Sequence, residues 1–224
     1  MPIRNIVFDL GGVILNLDYG LTSAAFAERF GIADFNSTFS QYKQTNFMDE
    51  FETGVKNSLA DLSAYLRASF PEELVNASDE SIAECWNAML LDIPQTRIDT
   101  LRTLRGMGYR VYLLSNINAV HEVGVDRIIE RDVDGGLEAW RASFDALFYS
   151  HWIGHRKPHV ETFLHVVQSI GGLPEETLFL DDSVQHVEGA RRAGLHAALV
   201  SKPVNAEAVD LYAVTMEALG SMQG

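Results

Sequence analysis

The stretch Asn5-Ile-Val-Phe-Asp9-Leu-Gly-Gly-Val13 decides how this chain is read. Ile6, Val7 and Phe8 form an apolar run with no polar break, the pattern of a strand buried on both faces. The run ends on a carboxylate and then on two glycines. An Asp at the end of a buried strand is costly unless something there uses its charge. The glycines allow a sharp turn and a close approach of the backbone to a ligand. A strand-end Asp can also simply cap a turn, so the stretch alone leaves both readings open.

Working outward, residues 19–91 show helical patterning and no strand signal. Gly31 stops a first helix, a second is expected over 35–47, and a short one over 48–51 stops before Gly54. Ser58 stands at the N-cap of an amphipathic stretch over 58–70, and another such stretch runs over 78–91. From Pro94 the rhythm changes to alternating helix and strand. Strands are expected over 109–114, 146–150, 177–180 and 196–200, with a loop over 151–158 and a closing helix over 205–219. Such alternation implies a parallel sheet with helices on both faces. The expected fold is α/β, a Rossmann-like parallel sheet core formed by 1–17 and 92–224, with an inserted α-helical cap over 18–91.

In a sheet of this kind, ligands bind beyond the carboxyl ends of the strands. The first strand delivers Asp9 there, the second Ser115 and Asn116, the loop after the third Arg156 and Lys157, and the fourth Asp181 and Asp182. Each has a plain alternative as a helix cap or a solvated loop end. Together they suit one reaction. A carboxylate can attack phosphorus, a hydroxyl and a cation can hold phosphoryl oxygens, and further carboxylates can hold Mg2+. Adjacent carboxylates repel, and a divalent cation is a common remedy.

In these motifs the chain resembles the haloacid dehalogenase-like hydrolases over essentially its whole length. Phe8-Asp-Leu-Gly-Gly-Val13 is similar to the first family motif, Leu114-Ser-Asn116 to the second and Arg156-Lys-Pro158 to the third. Phe179-Leu-Asp-Asp-Ser183, with Glu188-Gly-Ala190 and Ala193-Gly194, is similar to the fourth. The helical insert is similar to the family's four-helix cap, and the branch resembled holds sugar-phosphate phosphatases and the amino-terminal phosphatase domain of soluble epoxide hydrolases. The resemblance implies a phosphatase of a small phosphorylated metabolite, working through an aspartyl-phosphate. Asp9 would be nucleophile and metal ligand, with the Gly11 carbonyl as a second ligand. Ser115, Asn116 and Gly12 would bind the phosphoryl group, Lys157 would balance charge, and Asp182 and Asp181 would hold Mg2+. It also implies that the first and fourth strands lie side by side.

One position departs from the pattern. Most phosphatases of the family carry an Asp two residues after the nucleophile as general acid and base, and here Gly11 stands there. Loss of such a group typically costs ~10²–10⁴-fold in rate. Three outcomes follow: another group such as Asp18 or a cap residue supplies the proton; the substrate has a good leaving group; or the chain binds a phosphorylated ligand with little turnover. A phosphomutase is a lesser alternative. Gly11 together with two carboxylates also fits the family's 2-haloacid dehalogenases poorly.

The remaining features are bland. The net charge of -14 argues against nucleic acid and anionic membranes as partners. Hydrophobic residues at 47% and charged ones at 21% are ordinary for a globular domain. Cys85, the lone cysteine, reads as a buried structural thiol. Met1-Pro-Ile-Arg-Asn5 leads straight into the first strand, so no signal peptide and a cytoplasmic monomer or homodimer are expected. His151 and His155 lie four apart, but no carboxylate completes a zinc set. His186 is expected at the surface or behind the ligands. The insert's aromatics, Phe26, Phe30, Phe35, Phe39, Phe47 and Phe51, are expected mostly as core, and Tyr19, Tyr42 and Trp86 are undecided between core and site.

Overall fold

The computed structural model describes residues 1–35, 46–201 and 209–221. Five strands, β1 (Asn5–Phe8), β2 (Arg110–Ser115), β3 (Ala146–Tyr149), β4 (Thr177–Asp181) and β5 (His196–Leu199), form one parallel sheet in the order β3-β2-β1-β4-β5. Strand order therefore reverses at β1, which pairs with β2 on one side and β4 on the other. That is where an open parallel sheet leaves a crevice at its carboxyl edge.

The two-residue repeat of the strands divides their side chains between two cores. Ile6, Phe8, Leu113 and Leu180 face one core, which Ile98, Leu101 and Ile129 complete. Val7, Leu114 and Phe179 face the other, closed by Phe163, Val166 and Val187. Each such side chain contributes roughly 1.5–3 kcal/mol on burial. The helices of the alternating half are α5 (Gln95–Gly106), α6 (Ala119–Asp132), α7 (Gly136–Ala142), α8 (Ser150–Ile153), α9 (Val160–Ser169), α10 (Val184–Arg192) and α11 (Leu211–Ser221).

Between β1 and β2 lie α1 (Tyr19–Phe30), α2 (Asn46–Glu52), α3 (Leu59–Ser69) and α4 (Asp79–Asn87). They share a separate apolar core of Phe26, Phe51, Leu62, Leu66, Ile82 and Trp86, with Cys85 buried among them. Phe26 stacks on Phe35 at 4.2 Å, and Phe47 on Tyr65 at 3.8 Å. Ser58 caps α3 as expected, accepting from Asp61 N–H, and Ser78 caps α4 in the same way, accepting from Ser81 N–H. Phe39 and Tyr42, and most of the helix expected over 35–47, lie outside the described residues.

The chain passes between sheet and insert through two paired segments. Leu17 and Leu90 form an antiparallel bridge, and Asn16 N–H donates to the Asp92 carbonyl at 2.9 Å. Buried Arg97 donates to the Ile14 carbonyl and the Asn16 side chain, pinning this crossing. One candidate acquires a structural role and two expected boundaries shift. Asp18, weighed as a proton donor, is the exposed N-cap of α1 and accepts from Gly20 N–H at 2.9 Å. The loop expected from His151 begins instead with the short helix α8. The helix expected over 78–91 stops at Asn87, because Leu90 and Leu91 turn to pair with the segment leaving β1.

Candidate active site

The carboxyl ends of β1, β2 and β4 and the loop after α8 deliver their polar residues to one cavity of 530 Å³. Lys157 stands at its floor. Its side chain is fully buried, and Nζ donates to Asp9 Oδ1 at 2.7 Å and to Asp181 Oδ2 at 2.6 Å. The register of β1 against β4 sets this geometry, since Phe8 pairs with Leu180 and the next residue on each strand is an aspartate. Asp181 also accepts from Ser183 N–H at 2.8 Å and contacts His186 Nδ1 at 3.0 Å. His186 therefore sits behind a carboxylate, as the sequence suggested.

Asp9, Asp181 and Asp182 bring one carboxylate oxygen each within 4.8 Å of one another, and among the described residues no other such acidic or histidine group occurs. One buried ammonium faces three carboxylates. Burial raises Asp181, but Lys157 and His186 outweigh it and hold its carboxyl below the usual range. Burial and the Asp181 charge push Asp9 well above that range, against the pull of Lys157. Burial and Asp181 likewise push Asp182 up to about 6. This surplus of negative charge, all from hard oxygen donors, is what a divalent cation such as Mg2+ relieves. Among the described residues Asp182 has no side-chain tie comparable to those of Asp181, whose two oxygens are already engaged by Lys157, Ser183 and His186.

Ser115, buried at the last position of β2, lines the cavity beside Asn116. The resemblance gives Asn116 a phosphoryl-binding role through its backbone. Its side chain does something else: Nδ2 donates to the Lys157 carbonyl and Oδ1 accepts from Lys157 N–H, both at 2.9 Å. This pair of hydrogen bonds fixes the loop that aims Lys157. The helix after β2 is capped not by Ser115 or Asn116 but by Asn118.

Gly11 and Gly12 form the turn after β1. Gly12 has φ of 73°, and a Cβ there would overlap the Asp182 carboxylate. Gly12→Ala should therefore lose about 1–3 kcal/mol and displace Asp182; thermal unfolding with and without Mg2+ would show a lower midpoint and a smaller metal-induced rise.

Arg156 and Tyr19, both noted in the sequence, are joined near the site by Asp49 and Glu52 of the insert and by His121 of α6, which no sequence signal singled out. Buried Arg156 pairs with Glu52 at 2.8 Å and Asp49 at 3.3 Å, joining the loop before Lys157 to α2. Tyr19 faces the cavity from the first turn of α1, and the negative charges of Asp182 and Asp9, added to burial, push its phenol up. His121 stacks on Trp86 at 5.3 Å, with Nε2 against the Trp86 carbonyl and Nδ1 against the Asn118 amide. Burial lowers its imidazole to about 4. The unfolded chain then binds a proton that the native one refuses. Stability should be complete above pH ~6.5 and fall by of order 2 kcal/mol as pH drops towards ~4. Denaturant curves at pH 7.5 and 5 should show this slope, and His121→Gln should flatten it.

The two histidines considered for zinc do not converge. His151 bonds the Ile117 carbonyl and Glu122, each at 2.8 Å, whereas the His155 ring lies beside His165.

Comparison with known proteins gives a consistent picture. A family model described as haloacid dehalogenase-like hydrolase matches residues 3–194. The chain is 30% identical over 192 residues to D-ribitol-5-phosphate phosphatase of Bacteroides thetaiotaomicron, covering 86% of this chain and 89% of the relative. It is 24% identical over 204 residues to pyrophosphatase PpaX of Bacillus cereus, covering 90% and 84%. Among solved structures it is similar to a HAD family enzyme of Bacteroides thetaiotaomicron, an aspartate-to-alanine mutant in complex with magnesium and inorganic phosphate. The TM-score is 0.81 at 28% identity, over 92% of this chain and 97% of that one. A predicted HAD-like family hydrolase of Porphyromonas gingivalis matches with a TM-score of 0.76 at 29% identity, over 92% and 94%.

Proposed function

This chain belongs to the haloacid dehalogenase-like hydrolases, and from that premise we propose that it is a magnesium-dependent phosphatase of a small phosphorylated metabolite with Asp9 as nucleophile. The observation that carries the reading is the convergence of Asp9, Asp181, Asp182 and Lys157 at the β1–β4 edge. The phosphatase relatives and the magnesium and phosphate in a similar enzyme support it.

Asp9, Asp182 and the Gly11 carbonyl would hold the Mg2+, with Asp181 behind them, and the ion would supply positive charge beside the phosphoryl oxygens. Asp9 carries the free carboxylate oxygen that attacks phosphorus, its other oxygen being held by Lys157. Ser115 Oγ and the Asn116 backbone bind phosphoryl oxygens, and Lys157 offsets the charge that builds in the in-line transition state. Water then hydrolyses the phospho-aspartate and frees Asp9. Residues 18–91 act as the cap that shields this chemistry from bulk water.

Gly11 favours a second reading, a phosphate-ligand binding protein with weak turnover. A phosphate-release assay with Mg2+ on p-nitrophenyl phosphate and sugar phosphates separates the two. Release that chelation by EDTA abolishes is the expected result. Binding of phosphate and Mg2+, seen as a thermal shift, with no release from a broad panel would establish the binding reading instead.

A further inference from the structure

The cavity has two unlike ends. One is the charged floor of Asp9, Lys157, Ser115 and Asp182. The other is a wall of Leu17, Met48, Trp86, Met89, Leu90 and Val125, contributed by the insert, the paired crossing segments and α6. Three of the polar side chains set among them are already engaged by the protein. Thr22 Oγ1 donates to the Trp86 carbonyl at 3.1 Å. Both ring nitrogens of His121 have protein partners. Arg156 is paired with Glu52 and Asp49. The Leu17, Leu90 and Val125 side chains of this wall offer a polyol chain no hydrogen-bond partner, and each hydroxyl buried against them would cost about 1–3 kcal/mol. An apolar group placed there loses nothing and gains burial. Two methionines and a tryptophan give the wall an adaptable, polarizable surface suited to a ring or a branched hydrocarbon.

Resting on the phosphatase reading above, we infer that the substrate is a phosphate monoester of an apolar alcohol, an aromatic or branched hydrocarbon carrying one phosphate, rather than a sugar or polyol phosphate. The floor takes the phosphate, and the wall takes the hydrocarbon. Phosphate transfer to Asp9 breaks the P–O bond to that alcohol and forms the P–O bond to the carboxylate. Water then breaks the latter, so that the products are the free apolar alcohol and inorganic phosphate. This separates the chain from the polyol phosphatase to which it is similar.

The test uses esters matched in leaving group. Benzyl phosphate and D-ribitol 5-phosphate both release a primary alcohol, so leaving-group acidity does not decide between them. The expected result is a kcat/KM at least tenfold higher for benzyl phosphate, mostly through KM. Binding without turnover is read from competitive inhibition, with phenylphosphonate expected to inhibit at least tenfold more tightly than 2-hydroxyethylphosphonate. Met89→Gln keeps the side-chain volume but adds an amide to the wall. It should raise KM for benzyl phosphate several-fold while leaving inhibition by inorganic phosphate unchanged. Equal or better hydrolysis of D-ribitol 5-phosphate, or equal inhibition by the two phosphonates, would overturn the inference and leave the phosphatase reading intact. No hydrolysis of any ester would instead overturn the phosphatase reading.

Discussion

Asp9→Asn should lower phosphate release on the order of 10⁴-fold or more while leaving the fold intact. The amide has the shape of the carboxylate but no charge with which to attack phosphorus, and its oxygen still accepts from the buried Lys157 ammonium. Replacement also removes one of the like charges crowded against Asp181. The variant should therefore unfold at the wild-type midpoint or slightly above it. Inorganic phosphate should still bind through Ser115, Asn116 and Lys157. A variant that keeps full activity would show that Asp9 is not the nucleophile. A variant that neither folds nor binds phosphate would show that Asp9 serves the architecture instead.

Lys157→Met should have the largest effect on stability. The methionine matches the stem but leaves Asp9 and Asp181 facing each other without a cation, in a site where the lysine side chain is wholly buried. Removing one partner from a buried ionic group typically costs 3–5 kcal/mol, and urea denaturation at pH 7.5 should register a loss of about that size. Two further results distinguish this cause from simple mispacking. Adding Mg2+ should restore part of the loss, because the ion replaces some of the missing positive charge. Lowering the pH to 5 should shrink the deficit, because a proton on one of the two carboxylates ends their repulsion. A deficit indifferent to both would mean that Lys157 matters for packing rather than for charge. Activity should be lost throughout, since the same ammonium holds Asp9 and, in the proposed mechanism, faces the phosphoryl group.

Much of this was legible in the chain. Four short apolar runs, each ending in polar residues, specify parallel strands because a strand covered on both faces cannot alternate with polar side chains. The motif residues then fall at strand ends by counting alone. The limits of that reading are equally physical. Counting placed Ser115 and Asp181 just past their strands, whereas each is the last strand residue. Asp18 looked like a candidate acid because it is a carboxylate near the nucleophile in sequence. The structure shows that it also caps the helix that follows, a local use that its place in the sequence did not reveal.

The sequence by itself determined the sheet, the inserted helices and the identity of the charged residues at the carboxyl edge. These depend on local periodicity, turn chemistry and residue type. The tertiary structure alone decided which carboxylate is already engaged and which side chains line the apolar end of the cavity. Asp181 and Asp182 are neighbours of equal chemistry, and only the packing of Lys157 and His186 against the first leaves the second open. The apolar wall joins residues from the insert, from the crossing segments and from α6, distant along the chain. No periodicity relates such residues, because their proximity comes from how two separate cores are set against each other.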